Sequence, residues 1–388
     1  MLALTAVIDR ELDRNQGVLK LRPNYVCRYY KSGGRLPVDE QTASLAANRA
    51  VSRSVPERWL ASTVAALNPD PVPGEGLSLL DIPGRDISLK EAVAARGERI
   101  FGAQTAARFR DNFPVLGKVL DSAGPLIFQF HARDADVVRF PEHFAPNCCG
   151  KEEAYYFLPG PKGSVPYTHL GLSPGVTKEQ LLQAIAKGTD YSLDLCPVAA
   201  QRYGQGLHVP AGIPHRPGTA LTLEIQQPSD VCTRLDWFSG GQRLSPQHVH
   251  PGFDSLDDAL EFLDWQAATD PEVLSKNRIV PLPVAESRQP GGEEVWIFPP
   301  SMTPNFSGKR VRVTGVFEMV EKSAYVLLIW QGCGKLDGRP VSPGDEFFVT
   351  QAAGAGPHRL ERIGTETIEA YKLFPPEAEN YKQGMMMP

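Results

Sequence analysis

Short runs of alternating apolar and polar positions dominate the chain, and Gly/Pro-rich turns separate them. Between residues 109 and 242 they predict strands around Ile127-Phe128-Gln129-Phe130-His131 and across residues 150–158. They also predict two strands in residues 207–226, joined by a tight turn at 213–218. One helix interrupts this block: Thr177 and Gln180 have capping-box spacing ahead of Leu181, Leu182, Ala184 and Ile185, with Gly188 as the stop. A second β-block follows between 286 and 376, with runs at 309–318, 324–330, 346–350 and 368–374. Turn chemistry at 331–338 and at Pro343-Gly344-Asp345 separates them. Residues 254–265 predict a helix, with Leu256, Leu260, Phe262 and Leu263 on its partly apolar face. Residues 1–108 are less regular: a basic, aromatic stretch at 22–35, a Pro/Gly-rich loop at 68–76, and Ser88 with Glu91 at capping-box spacing before an Ala-rich helix.

Composition sharpens this picture in three ways. The 35 Gly and 35 Pro among 388 residues imply many turns and short elements, hence a β-rich architecture of more than one domain. The formal net charge of −5 gives no general attraction for nucleic acid or an anionic membrane, so an anionic ligand has to be held by a local basic cluster. Six cysteines without a CxxC pair argue against a disulfide scaffold or a thiolate metal site. Cys148 and Cys149 are adjacent, and reduced thiols are expected. Residues 1–8 are followed at once by Asp9-Arg10-Glu11, unlike a signal peptide, and no run approaches the roughly 20 apolar residues of a membrane span. A cytoplasmic protein is expected.

Alternation also brings out candidate chemistry. Residues i and i+2 of a strand share a face, so Gln129 projects with His131, and Lys151 with Glu153. Such polar couplets inside apolar runs need partners. With His215, the set Gln129, His131 and Glu153 supplies one amide, two imidazoles and one carboxylate, which suits zinc and also manganese, cobalt or iron. The same four residues also fit a hydrogen-bonded core network. His208 falls on the opposite strand face and reads as structural. His248 and His250 read as a surface loop; Lys31 and Arg35, beside a Gly pair, are open to a phosphate contact but read by default as a solvated loop.

The segments Ile127-Phe128-Gln129-Phe130-His131, Gly150-Lys151-Glu152-Glu153-Ala154-Tyr155, Val209-Pro210-Ala211-Gly212-Ile213-Pro214-His215 and Glu224-Ile225-Gln226-Gln227-Pro228-Ser229-Asp230 resemble the class I phosphomannose isomerase family, in that family's order and at similar spacing. The resemblance continues more weakly from Gly33-Gly34 to Phe374-Pro375-Pro376. It implies a mainly β chain with two cupin (jelly-roll) β-domains and helical insertions. The expected division is an N-terminal segment, 1–108, packed on a metal-binding cupin domain, 109–242, then a helical connection, 243–285, and a second, metal-free cupin domain with a tail, 286–388. Only His358 lies in that last β-region.

The implied activity is a zinc-dependent aldose–ketose isomerisation between mannose 6-phosphate and fructose 6-phosphate through an enediol. One zinc would be held by Gln129, His131, Glu153 and His215, with other divalent metals open. The family's lysine and arginine fall on Lys151 and Arg234, expected to stabilise the enediolate or orient sugar hydroxyls. A second lysine falls on Lys118, which with Arg216 is a candidate for the phosphate. Glu224 matches an acid assigned to proton transfer, or else orients His215. The implied partner is a small sugar phosphate, on a monomer or weak dimer. Departures from the family pattern are Ser32 before Gly33-Gly34 where the family has Trp, Ala132 where it has Pro, and Arg216 where it has Ala. They leave open an isomerase or epimerase of another sugar, or a sugar-binding cupin without catalysis. Lys151 and Arg234 argue against an oxygenase.

Overall fold

The computed structural model describes residues 2–145, 149–239 and 242–376. Its strands form antiparallel sheets, four of which stack in order. Sheet 1 has five strands, ordered Thr233–Arg234, Gln129–Phe130, His215–Arg216, Tyr167–Leu170 and Val198–Ala200. Sheet 2 has seven: Arg278–Ile279, Gly206–Val209, Glu153–Phe157, Thr222–Gln226, Leu116–Leu120, Ser54–Leu60 and Asn24–Arg28. Sheet 3 also has seven: Val18–Leu21, Glu346–Val349, Tyr325–Gln331, Ile368–Phe374, Ser307–Val313, Gly292–Phe298 and Leu282–Pro283. Sheet 4 has four: Val316–Met319, His358–Ile363, Cys333–Leu336 and Arg339–Val341. Sheets 1 and 2 form one sandwich and sheets 3 and 4 another, the mainly β, paired-sheet arrangement expected of cupin domains.

Three apolar layers hold the stack. Leu170 of sheet 1 packs on Tyr155, Phe157, Leu207 and Val209 of sheet 2. Val119, Ala154, Leu223 and Ile225 on the other face of sheet 2 meet Val326, Leu328, Phe348 and Leu373 of sheet 3. Val311, Leu327 and Ile329 turn the other way, onto Phe317, Leu336 and Leu360 of sheet 4. Sheet 2 is therefore covered on both faces, and every residue of Leu116–Leu120, Glu153–Phe157 and Thr222–Gln226 is buried. Each fully buried large aliphatic side chain here contributes about 1.5–3 kcal/mol.

Gly117 sets the closeness of sheets 2 and 3, since a Cβ there would lie 2.4 Å from Leu373 Cδ1 and 3.2 Å from Leu60 Cβ. A buried ion pair crosses the same seam, Arg58 Nη2 to Glu346 Oε2 at 3.0 Å. Both capping boxes form, on the helices Leu89–Phe101 and Lys178–Lys187. The second of these packs with the short helix Leu256–Ala259 against Phe128 and Phe130 at the outer side of sheet 1. Inside the second sandwich Lys309 and Lys372 are paired with Glu294 and Glu321.

Several expected elements are redrawn. Residues 22–35 contain the regular strand Asn24–Arg28, and Val18–Leu21 before it joins sheet 3. Residues 207–226 are not a hairpin. Gly206–Val209 and Thr222–Gln226 flank Glu153–Phe157 on opposite sides, and between them His215–Arg216 crosses to sheet 1. The run 309–318 breaks at Thr314-Gly315 into strands of sheets 3 and 4. Within 331–338, Cys333–Leu336 is itself a strand, and only Asp337-Gly338, both with positive φ, make the two-residue turn to Arg339–Val341. Residues 254–265 divide into Leu256–Ala259 and a 3₁₀ turn, Leu260–Phe262, before extended Leu263. Cys27, Cys196, Cys232 and Cys333 are free thiols, whereas Cys148 and the tail 377–388 lie outside the described residues. Among the described residues no helix is long and apolar enough to cross a membrane.

Candidate active site

Strand register in sheet 2 places the candidate groups in a row. Glu224 lies opposite Lys118 on one side and Tyr155 on the other, and Gln226 lies opposite Glu153. Alternation sends Leu223 and Ile225 into the layer against sheet 3, so Glu224 and Gln226 face sheet 1. From across the gap come Gln129 and His215, directly opposite one another, with Arg234 on the far side of Gln129. A cavity of about 620 Å³ opens beside them, lined by Lys118, Lys151, Glu153, Glu224, Gln129 and Arg234 among others.

His131, Glu153 and His215 converge, all buried, with ligand-capable atoms within 4.8 Å of one another. His131 Nε2 is 3.2 Å from Glu153 Oε2 and His215 Nε2 is 3.1 Å from Glu153 Oε1. The Gln129 side-chain amide is 3.4 Å from His215 Nε2, and turning the amide over presents its oxygen instead. Four donors at zinc-ligand distances on a tetrahedron lie about 3.3 Å apart. The separations of 3.1–3.4 Å are close to that figure, so the chemistry and spacing of the donor set suit a small divalent cation once the Lys151 ammonium, which now contacts two of the donors, moves aside. His215 Nδ1 sits 3.1 Å from the Ile213 carbonyl, which as acceptor fixes Nε2 toward the cluster.

The Lys151 ammonium lies 2.9 Å from Glu153 Oε2 and 3.0 Å from His131 Nε2, so a fixed positive charge already balances the carboxylate. Tyr155 donates its hydroxyl to Glu153 Oε1. Burial, with the nearby Lys151 charge, pushes His131 down to about 3, which keeps it neutral and able to serve as a ligand. Burial opposes the Glu153 charge, but Lys151 and His131 hold its pKa well below the carboxylate range. For Glu224 burial wins. Helped by Glu153 and opposed by Lys118 and Lys151, it carries that carboxyl up to about 8. Burial also works against Lys151, yet Glu153 and Glu224 keep it charged, its pKa above the usual lysine value.

Sequence reasoning gave no role to several other residues at the wall. Arg28 holds Glu57 with Nε at 3.0 Å and Asp230 with Nη2 at 2.9 Å, and Lys118 Nζ is 3.8 Å from Asp230. Tyr30 and Trp59 also donate to Glu57, and Lys118 lies over the Trp59 ring at 5.0 Å. Alternation along Ser54–Leu60 could have exposed Glu57 and Trp59 as a couplet and Asp230 ends the family-like segment 224–230, whereas nothing local marks Arg28.

Arg216 is not brought to this cavity. As the residue after His215 it faces the other way, with Nε donating to the Leu126 carbonyl at 2.9 Å. Lys31 does line the cavity. Arg35 is not a solvated loop residue, because it pairs with buried Asp121 at 2.6 Å. His208 is bonded to Glu152 at 2.5 Å. His248 is exposed, but His250 is buried and bonded to the Phe253 carbonyl at 3.0 Å, contrary to the surface reading of that pair.

No family model and no curated protein matches the sequence. Solved structures do match. Mannose 6-phosphate isomerase from Bacillus subtilis is 20% identical, with a TM-score of 0.65 over 92% of this chain and 99% of that one. A point variant of phosphomannose isomerase from Salmonella typhimurium is 15% identical, with a TM-score of 0.65 over 93% and 100%. Over more than nine-tenths of its length, then, the chain has the fold of these isomerases.

Proposed function

We propose that the protein is a metal-dependent aldose–ketose isomerase that interconverts mannose 6-phosphate and fructose 6-phosphate. The carrying observation is the buried row Lys118, Glu224, Tyr155, which lines one cavity together with Glu153, the carboxylate shared by His131 and His215. A proton carrier flanked by fixed cations, next to a cation-binding donor set, is what moving a proton between C1 and C2 requires.

Gln129, His131, Glu153 and His215 would hold the metal, zinc in this reading. It supplies Lewis acidity toward a sugar oxygen. Glu224 is assigned to carry the proton between C1 and C2. Its burial makes its proton affinity far closer to neutrality than that of an exposed carboxylate, which suits a group that must both take and return a proton. Lys151 and Arg234 are assigned to the enediolate oxygens, where a fixed cation in a dry site can be worth a few kcal/mol. Lys118, held by Asp230 and Trp59, orients hydroxyls from the other side of Glu224. The fold likeness to enzymes named for this substrate supports the choice of sugar.

The test is ketose formation from mannose 6-phosphate, mannose and ribose 5-phosphate, before and after chelation and metal replacement. The expected result is turnover of the first, lost on chelation and restored best by zinc. Absence of turnover in the metal-loaded protein, or turnover indifferent to Glu224→Gln, sinks the proposal.

A further inference from the structure

The cavity does not end at Arg234. A second chamber of about 830 Å³ adjoins it, and Tyr29, Leu67, Asp230, Cys232 and Arg234 line both. None of Gln129, Lys151, Glu153 and Glu224 lines the second chamber. Whatever part of a substrate enters it is therefore remote from the reacting carbons. Aldose–ketose exchange needs C1 and C2 at the donor set, so only the opposite end of the sugar can reach the chamber.

The chamber's charge is one-sided. Arg53, Arg234, Arg243, His143 and His248 line it, with Asp230 as the acid among its described lining residues. Asp230 is already engaged, by Arg28 at 2.9 and 3.1 Å and by the Leu67 amide at 2.8 Å. Arg53 and Arg243 are both exposed and, among the described residues, neither has a carboxylate partner. The Arg53 Nε donates to the Arg49 carbonyl at 2.8 Å and the Arg243 guanidinium lies 5.8 Å from the Trp237 ring centre. In the first cavity, by contrast, Arg28, Lys118 and Lys151 are each paired with a carboxylate. The rest of the described lining is largely apolar, with Ala50, Val51, Ala66, Leu67, Pro69 and Pro71, and offers no further acid to compete for the arginines.

Resting on the isomerase reading, we propose that the chamber is the phosphate subsite: the phosphoryl group of the substrate passes Arg234 and is held by Arg53 and Arg243. Lys118 is left to the sugar hydroxyls, and Arg216 has no part. Arginine suits this task because its planar fork presents two parallel donors to phosphate oxygens.

The experiment compares kcat/KM for mannose 6-phosphate with that for mannose, in the wild type and in Arg53→Ala/Arg243→Ala, all metal-loaded. Arg312→Ala, a surface arginine of sheet 3, is the control. The expected result is a tenfold or greater fall in the ratio for the double variant, carried by KM for the phosphorylated sugar, and no change for the control. Titration with inorganic phosphate should show binding that weakens at least tenfold in the double variant. A ratio that stays put overturns the proposal, as does phosphate binding indifferent to both arginines, which would place the anion at the donor set instead. If no sugar is turned over, the isomerase reading fails, and the phosphate titration still decides whether the chamber binds an anion.

Discussion

Replacing Glu346 by leucine tests how firmly the two sandwiches are joined. The Glu346 carboxylate accepts from Arg58 Nη2 at 3.0 Å and from the Ala61 amide at 2.8 Å, with side-chain exposures of 0% for Glu346 and 4% for Arg58. Leucine removes both acceptors and strands a guanidinium between sheets 2 and 3, with the Gly344 carbonyl at 2.7 Å as its remaining bond. Breaking a buried pair from one side costs about 3–5 kcal/mol, and an unanswered buried amide about 1–3 kcal/mol. The two penalties share one site and do not add in full, so the expected loss is about 4 kcal/mol. That is a large part of the roughly 5–15 kcal/mol that keeps a protein folded. Urea unfolding followed by fluorescence and by far-UV circular dichroism reads it, provided the two curves coincide. Fully buried Trp59, next in sequence to Arg58, sits close enough to report the transition. Arg58→Met/Glu346→Leu removes both charges and should regain at least half of the loss, because an apolar pair carries no desolvation penalty. A single-variant loss below about 1 kcal/mol, or a double variant no more stable than the single, refutes the reasoning.

Lys151→Met should lower turnover by about 10²–10³-fold while bound metal per chain holds or rises, since an ammonium next to Glu153 and His131 is removed; undiminished turnover would take Lys151 out of the chemistry. Glu57 should govern part of the acid limb of stability. Burial opposes its charge, but Arg28 and Lys118 bring its pKa to about 2, below the usual 4.5. Its contribution, about 3 kcal/mol by linkage, is fully present above pH 4.5 and is lost as pH falls toward 2. Glu57→Gln should flatten that window, and an unchanged limb would assign it to other carboxylates. Gly117→Ala should destabilise by about 1–3 kcal/mol through contact with Leu373 and Leu60, and Gly117→Ala/Leu373→Ala should recover part of it in thermal melts. Equal melting of the wild type and the single variant would show that sheets 2 and 3 separate readily there.

What could be read from the sequence depended on how local each signal was. The capping boxes at Ser88 and Thr177 were legible because all their partners lie within four residues. Gln129 with His131, and Lys151 with Glu153, were legible because strand parity needs only two. The same parity places Arg216 on the face opposite His215, and the phosphate assignment overlooked it. Arg28 and Asp230 are 202 positions apart and meet only because Asn24–Arg28 and the loop after Gln226 converge at one edge of sheet 2, so their pairing could not be found from the neighbours of either. The hairpin expected over 207–226 failed for a related reason. Two residues, His215–Arg216, suffice to change sheets, and so short a crossing leaves no periodicity to detect.

Because the strands bearing Lys118, Glu153 and Glu224 are clamped between a sandwich partner and the neighbouring sandwich, none of them can shift without dragging a whole sheet along. Residues 29–31, 67–71 and 243–248 lie outside these strands and supply much of the lining of the two chambers instead. Variation in which sugar is accepted is then free to accumulate in those segments without disturbing the floor beneath.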